Sequence, residues 1–460
     1  MQRIWAQRAL VGGAWADAVA VDIAQGKIRS ITPGAAPAGA EVDLLVPAPT
    51  NCHSHAFQRV LAGLTERRGA AADSFWTWRD LMFRFLEQIT PDQVEAIAAF
   101  VQMEMLEAGF GASVEFHYLH HQPGGQPYDR IGEMSERIAA GAAESGIGLT
   151  LLPVMYQFGG CDQRALGPGQ ARFGNALDRF TRLVEDAHAA IVALPSDCRI
   201  GTAPHSLRAV AAEDLGRVAA LAAGGPVHMH LAEQPAEVAE VVAAHGARPV
   251  EWVLDHVPVG PDWCLIHCTQ MAPHETMGLT ETGAVAGLCP LTEASLGDGI
   301  FDGVRWAGTG GRFAVGSDSN IRISLAEELR QLDTSQRLRD GSRAAFATQE
   351  RSTGRRLIEE VALGGAQAAG RGVWANGRFQ GGEIAIGAYA DLLALDADHV
   401  DLDGLSPDTA LDTFVFAGDS RMVREVWSAG RHLVAEGAHI ARAAITARYR
   451  AAVRPLRDGL

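Results

Sequence analysis

Apolar and polar positions change period along this chain. Near the N-terminus, Ala18-Val19-Ala20-Val21-Asp22-Ile23, a turn at Gly26 and Ile28-Arg29-Ser30-Ile31 have the short runs of a β-hairpin. The far end is similar: Ile384–Ile386, Ala390–Leu395 and Met422–Trp427, continuing to Leu433-Val434, are β-like. Between these ends eight apolar runs recur, at Leu44–Pro47, Ala112–Tyr118, Gly148–Val154, Arg199–Ala203, Val227–Leu231, Trp263–His267, Ala284–Cys289 and Arg312–Gly316. Ala-rich helical stretches such as Pro91–Ala108, Ser135–Ser145 and Ala176–Leu194 separate them. This alternation predicts an α/β protein, a (β/α)8 TIM-like barrel with a small β domain built from both chain ends. The expected boundaries are 1–46 and 373–460 for the two parts of the small β domain, the latter with a tail, and 47–372 for the barrel.

Barrel chemistry sits at the C-terminal ends of the strands, so the polar residues there are the ones to weigh. The first run leads into Asn51-Cys52-His53-Ser54-His55. Two histidines at i and i+2 of an extended segment share a face and can reach one ion, although a His-x-His pair alone is as readily a polar strand end. The fifth run ends His228-Met229-His230-Leu231-Ala232-Glu233. His230 lies nearer the mouth and is the better ligand, whereas His228 reads as a hydrogen-bonded core histidine. Glu233 falls just past the strand, either facing a substrate or opening the next helix. The sixth run ends at His267 and the eighth at Asp318. A carboxylate closing an apolar strand is costly unless paired or metal-bound; otherwise Asp318 would cap the helix that starts near Ser324. His-x-His, His, His and Asp at four strand ends form a combined signal that none of them carries alone.

Composition removes other classes. No apolar run approaches about 18 residues, the length of a membrane span, and the first nine residues lack the apolar core of a secretion signal; a cytoplasmic location is expected. A net charge of −16 leaves no basic stripe for nucleic acid. Six cysteines without a Cys-x-x-Cys pair form neither a disulfide framework nor a cysteine-rich zinc site. Among 39 basic side chains only Lys27 is a lysine, in a short hydrophilic turn. A P-loop, a pyridoxal Schiff base and a carbamylated lysine bridging two metals therefore have no lysine to use.

The order of the strand-end residues resembles the amidohydrolase superfamily over nearly the whole chain. Gly387-Ala388-Tyr389-Ala390-Asp391-Leu392-Leu393 is similar to that superfamily's C-terminal β segment, and the lack of a barrel lysine to its single-metal branch. A closer resemblance, to the formimidoylglutamate deiminases, rests on His53-Ser54-His55-Ala56-Phe57-Gln58-Arg59, Ser74-Phe75-Trp76-Thr77-Trp78-Arg79, Glu115-Phe116-His117-Tyr118, Pro204-His205-Ser206-Leu207-Arg208 and His230-Leu231-Ala232-Glu233-Gln234.

This resemblance implies one divalent ion, zinc by donor type, on His53, His55, His230 and Asp318. It implies Glu233, His267 and Asp318 as catalytic groups, and Gln58, Tyr118, His205 and Arg208 as substrate-binding groups, with Arg79 reaching a second substrate carboxylate. The implied reaction is hydrolysis of N-formimino-L-glutamate to N-formyl-L-glutamate and ammonia, in histidine degradation. Asp318 would take a proton from water, His267 would orient the nucleophile, and Glu233 would give a proton to the departing nitrogen. Two other readings compete: a single-metal deaminase or chlorohydrolase acting on a heteroaromatic ring, and a non-catalytic barrel scaffold. A guanidinium suited to bidentate carboxylate binding argues against the neutral ring, and the complete ligand set argues against the scaffold. The expected partners are a small-molecule substrate and a second copy of the chain in a homodimer, with neither nucleic acid nor membrane.

Overall fold

A computed structural model describes residues 2–66, 75–375 and 377–458, without the side chains of 75–80 and 458. An eight-stranded sheet draws strands from both ends of the chain. Gln2–Val11, Ala14–Ala24 and Lys27–Thr32 run antiparallel in sequence, as the hairpin pattern predicts. Gln2–Val11 also pairs in parallel with Ala40–Pro47, which pairs antiparallel with Leu392–Leu395. Val423–Ser428, Arg431–Ala435 and Ala438–His439 complete the sheet. Alternation along its central strands serves two cores. Leu45, Leu392 and Ala394 face a small core with Ile4, Val21 and Trp427, while Leu44, Val46, Leu393 and Leu395 join the main core of the molecule. Burial on both faces explains why these strands read as unbroken apolar runs.

The main body holds two all-parallel sheets. One contains Thr50–Asn51, Ala112–His117, Gly148–Met155 and the interrupted pair Arg199–Ile200 and Ala203–Pro204. The other contains Val227–Leu231, Trp263–His267, Val285–Leu288 and Arg312–Val315. The sheets meet at both edges through the parallel bridges Ser54↔Asp318 and Thr202↔Val227. At one seam Cys52 N–H donates to the Val315 carbonyl at 3.0 Å, and at the other His228 N–H donates to the Thr202 carbonyl at 3.2 Å.

Two strand assignments are corrected. Leu44–Pro47 does not open the parallel set but lies in the eight-stranded sheet, and Thr50–Asn51 takes the opening place. Pro47 and Pro49 lack the N–H that a continuous central strand would need. The run Arg199–Ala203 is broken in two, with Gly201 passing so close to the neighbouring chain that a Cβ there would stand 2.1 Å from the Pro226 carbonyl oxygen.

The three predicted helices are found at Pro91–Glu107, Glu133–Ser145 and Leu177–Val192. A capping box of Thr90 with Gln93 starts the first. Ser324, not Asp318, caps Leu325–Asp340, its hydroxyl accepting from Glu327 N–H at 3.3 Å. Asp318 is thereby left to face the strand ends. The C-terminal helix Arg442–Asp458 packs on Pro91–Glu107, where the Phe100 and Tyr449 rings stack with centroids 3.9 Å apart.

Candidate active site

Strand ends bring three imidazoles and a carboxylate together. His53 Nε2 lies 3.1 Å from both His55 Nε2 and His230 Nε2, and Asp318 Oδ1 lies 3.2 Å from His55 Nε2 and 3.6 Å from His53 Nε2. All four residues are buried. Ligands about 2.0–2.1 Å from a tetrahedral centre stand about 3.3–3.4 Å apart, so these spacings fit one ion. The tautomers agree. His55 Nδ1 pairs with the Phe116 carbonyl oxygen at 2.9 Å, and His230 Nδ1 with that of His205 at 3.2 Å. A carbonyl only accepts, so each Nδ1 carries the proton and each Nε2 aims a lone pair inward. Converging lone pairs repel unless a cation stands between them. Burial, followed by the neighbouring imidazoles, holds His53 and His230 far below the usual histidine range. They are neutral, the form that binds metal.

The backbone turns sharply at these strand ends. Ala232, His267, Cys268 and Asp318 all have positive φ, at 52°, 71°, 51° and 45°. Such a conformation costs a residue with a Cβ about 1–3 kcal/mol and persists where the surroundings impose it. His267 and Asp318 are held there by hydrogen bonds. Cys268 N–H donates to the Leu231 carbonyl, and Asp318 N–H to that of His53 at 2.9 Å.

Glu233 stands beside this centre. Its Oε1 is 3.7 Å from His267 Nε2 and its Oε2 is 3.9 Å from Arg208 Nη2. Burial pushes Glu233 above the usual carboxylate range, against the pull of His267 and Arg208. For His267, burial acts downward, but Glu233, Asp318 and Glu293 together raise it to about 10. Glu293 was missed in the sequence. Its Oε1 accepts from His267 Nδ1 at 3.2 Å and from Cys289 N–H at 2.9 Å, fixing the ring's orientation. The seventh strand end was the place to look, four residues before Glu293.

One cavity contains nearly every expected side chain: His55, Gln58, Tyr118, His205, Arg208, His230, Glu233, His267 and Asp318 all line it. Gln58 Nε2 donates to the Tyr118 hydroxyl at 2.6 Å. Arg208 is half-buried, and its Nε has no hydrogen-bond partner among the described residues. Apolar walls come from Met82, Phe83, Phe173 and Leu296, and Tyr156 adds a second phenol; sequence reasoning had singled out none of these. Tyr156 follows the third parallel strand by one residue, so the strand-end rule would have found it. His53 lies behind the cavity wall as a ligand to the centre. The Arg79 side chain, with residues 67–74, lies outside the described residues. His228 points away, its Nε2 2.8 Å from the Ala368 carbonyl oxygen, as a core histidine would.

Known proteins are similar to this chain in sequence and fold. A model of the amidohydrolase family matches residues 44–433, and a model of the N-terminal domain of formimidoylglutamate deiminase HutF matches residues 1–42. The formimidoylglutamate deiminase of Pseudomonas aeruginosa is 42% identical over 446 residues, 95% of this chain and 96% of that one. A crystal structure of an amidohydrolase from Brucella melitensis is 43% identical with a TM-score of 0.94, covering 99% of this chain and 100% of that one. A zinc-bound adenosine deaminase from Xanthomonas campestris, 22% identical, has the same fold at a TM-score of 0.81 over 99% of this chain and 98% of its own. On these matches and on the histidine–aspartate centre at the strand ends, the chain belongs to the amidohydrolase family, in its formimidoylglutamate deiminase group.

Proposed function

We propose that the protein hydrolyses N-formimino-L-glutamate to N-formyl-L-glutamate and ammonia, a step of histidine degradation. The observation that carries this reading is one cavity lined by His55, His230 and Asp318 of the histidine–aspartate centre, the buried Glu233–His267 pair and the half-buried Arg208. The 42% identity to a formimidoylglutamate deiminase supports it. The two parallel sheets, linked at both edges, constitute one closed (β/α)8 barrel over 47–372, with 1–46 and 373–460 forming the small β domain and tail. The six cysteines are all unpaired, which suits a cytoplasmic location.

His53, His55 and His230, with Asp318 3.2 Å from His55, would hold a single divalent ion, zinc by donor type. When bound, such an ion supplies Lewis acidity that makes water a nucleophile near neutral pH. Asp318 takes the proton of the attacking water, and His267, held by Glu293, orients that water toward the amidine carbon. Addition forms the C–O bond and leaves a tetrahedral carbon with two nitrogens. Whichever nitrogen is protonated leaves. Glu233, pushed above the usual carboxylate range by burial, gives a proton to the small terminal nitrogen; the C–N bond to that nitrogen breaks, ammonia leaves, and the remaining O–H proton passes back to Glu233 as the formyl C=O forms. Arg208 grips a glutamate carboxylate, with Tyr118 and Gln58 beside it and His205 against the same ligand.

Incubating zinc-loaded protein with N-formimino-L-glutamate should yield ammonia and N-formyl-L-glutamate in equal amounts. Glutamate with formamide as products would reverse the assigned direction of collapse. Arg208→Met should raise KM sharply for this substrate; equal handling by both proteins would remove the carboxylate clamp.

A further inference from the structure

The cavity floor contains a second group of metal-binding atoms. His267, Cys289 and Asp318 each offer one ligand atom, and the three atoms lie within 4.8 Å of one another. All three residues are buried. Cys289 ends the seventh strand, beside the sixth, which delivers His267, and the eighth, which leads to Asp318. Its backbone is fixed by Glu293, the same carboxylate that holds the His267 ring. No role in the proposed reaction uses this thiol.

We propose that His267, Cys289 and Asp318 form a second, inhibitory site for a soft divalent cation, sharing Asp318 with the first centre. Nitrogen, sulfur and carboxylate donors together suit zinc or cadmium rather than magnesium or calcium. A carboxylate can bridge two ions about 3.5–4 Å apart, so the two sites are compatible in space. The local charge favours a further cation. Five acidic side chains, Glu233, Glu293, Asp298, Asp318 and Glu328, are buried around this floor. The basic groups that face them are Arg208 and His267, with the imidazoles of His53 and His55 beside Asp318. Two of the acids keep a buried oxygen without any partner, Asp298 Oδ2 and Glu328 Oε1. Binding releases the Cys289 thiol proton and one ring proton of His267, since the ion needs a thiolate and a neutral imidazole as ligands.

Occupation would take His267 and Asp318 out of water activation, so excess zinc or cadmium would stop turnover without displacing the first ion. The existence of the site stands on geometry; only the loss of turnover rests on the reaction proposed above.

The test uses the one-zinc holoenzyme titrated with cadmium. Ion content is followed by equilibrium dialysis, thiolate–cadmium bonding by its ultraviolet charge-transfer band, and turnover in parallel. Wild type is expected to take up one additional ion, develop the band and lose at least tenfold in turnover. Cys289→Ser should keep its zinc and basal turnover, show no band, and tolerate at least tenfold more cadmium. Wild type that takes up no additional ion, or a band that persists undiminished in Cys289→Ser, would overturn the site. If uptake and band appear as expected while turnover is unaffected, the site stands and the catalytic roles of His267 and Asp318 fail. Should Cys289→Ser not fold, cadmium NMR of the one-zinc wild type decides: a protein-bound cadmium resonance shifted as for one sulfur ligand supports the site, and its absence rejects it.

Discussion

Glu233 illustrates how position turns an ordinary carboxylate into a proton donor. In water it would be ionised at neutral pH. Buried beside the centre, it is pushed upward, while His267 at 3.7 Å pulls it back toward ionisation. Glu233→Gln keeps the size but cannot pass a proton. It should retain metal and lose about 10²-fold or more in turnover; a variant near the wild-type rate would refute the donor role. His117 shows the opposite shift away from the centre. Burial, with a smaller push from His121, lowers it to about 3, so it is neutral in the folded protein. Unfolded, it would titrate near 6.5 and bind the extra proton. The stability from keeping it neutral is therefore intact above pH 6.5 and is lost as pH falls from there toward 3. Urea unfolding of His117→Asn should depend less steeply on pH between 6.5 and 4 than wild type; identical slopes would contradict this.

At the scale of elements, the first and last parallel strands must approach closely enough for His53 and Asp318 to share one centre. Gly316 permits it: a Cβ there would stand 2.6 Å from His53 N and 2.7 Å from its carbonyl oxygen. Both obstacles are backbone, so neither can rotate away. Gly316→Ala should part the seam that Ser54↔Asp318 closes and displace two ligands at once. Its expected signature is loss of bound metal with most helical structure retained, measured by metal analysis and circular dichroism. Full metal content in this variant would mean that the seam tolerates the methyl group. The left-handed turns at Ala232, His267 and Asp318 serve the same end, redirecting side chains from the strand direction into one mouth.

For the whole molecule, a buried charge network fastens the eight-stranded sheet to the parallel body. Arg371 is buried and pairs with Asp391 at 2.8 and 2.9 Å, and its Nη1 donates to the Asp197 carbonyl at 2.7 Å. Asp197 also receives Arg431 from the end sheet through two contacts of 2.7 Å. Removing one partner strands the others without compensation, at a cost of about 3–5 kcal/mol for a buried pair. Arg371→Met should therefore lower the urea midpoint markedly, while KM is unchanged in whatever fraction remains folded. A loss below about 1 kcal/mol would show that the network is dispensable.

The sequence alone determined the alternation of strands and helices, because period and turn residues are local properties. The gathering of His53, His55, His230 and Asp318 at strand ends was legible for a related reason. A strand whose end faces an active mouth must carry its polar residues there, at positions the apolar run itself marks. His228 could be set aside by the same logic, being one turn of the pleat deeper. What the chain order could not decide was which parallel neighbour each strand would find. Leu44–Pro47 has the same apolar pattern as the strands it was grouped with, yet both of its faces are buried in the end sheet. Tyr156 and Glu293 follow strand ends that carry no histidine motif, and each takes its place through neighbours distant in sequence: for Tyr156 the cavity that His205 and Arg208 share, for Glu293 His267. Only the tertiary structure placed Cys289 with His267 and Asp318, because that proximity depends on three strands lying side by side and not on any spacing along the chain.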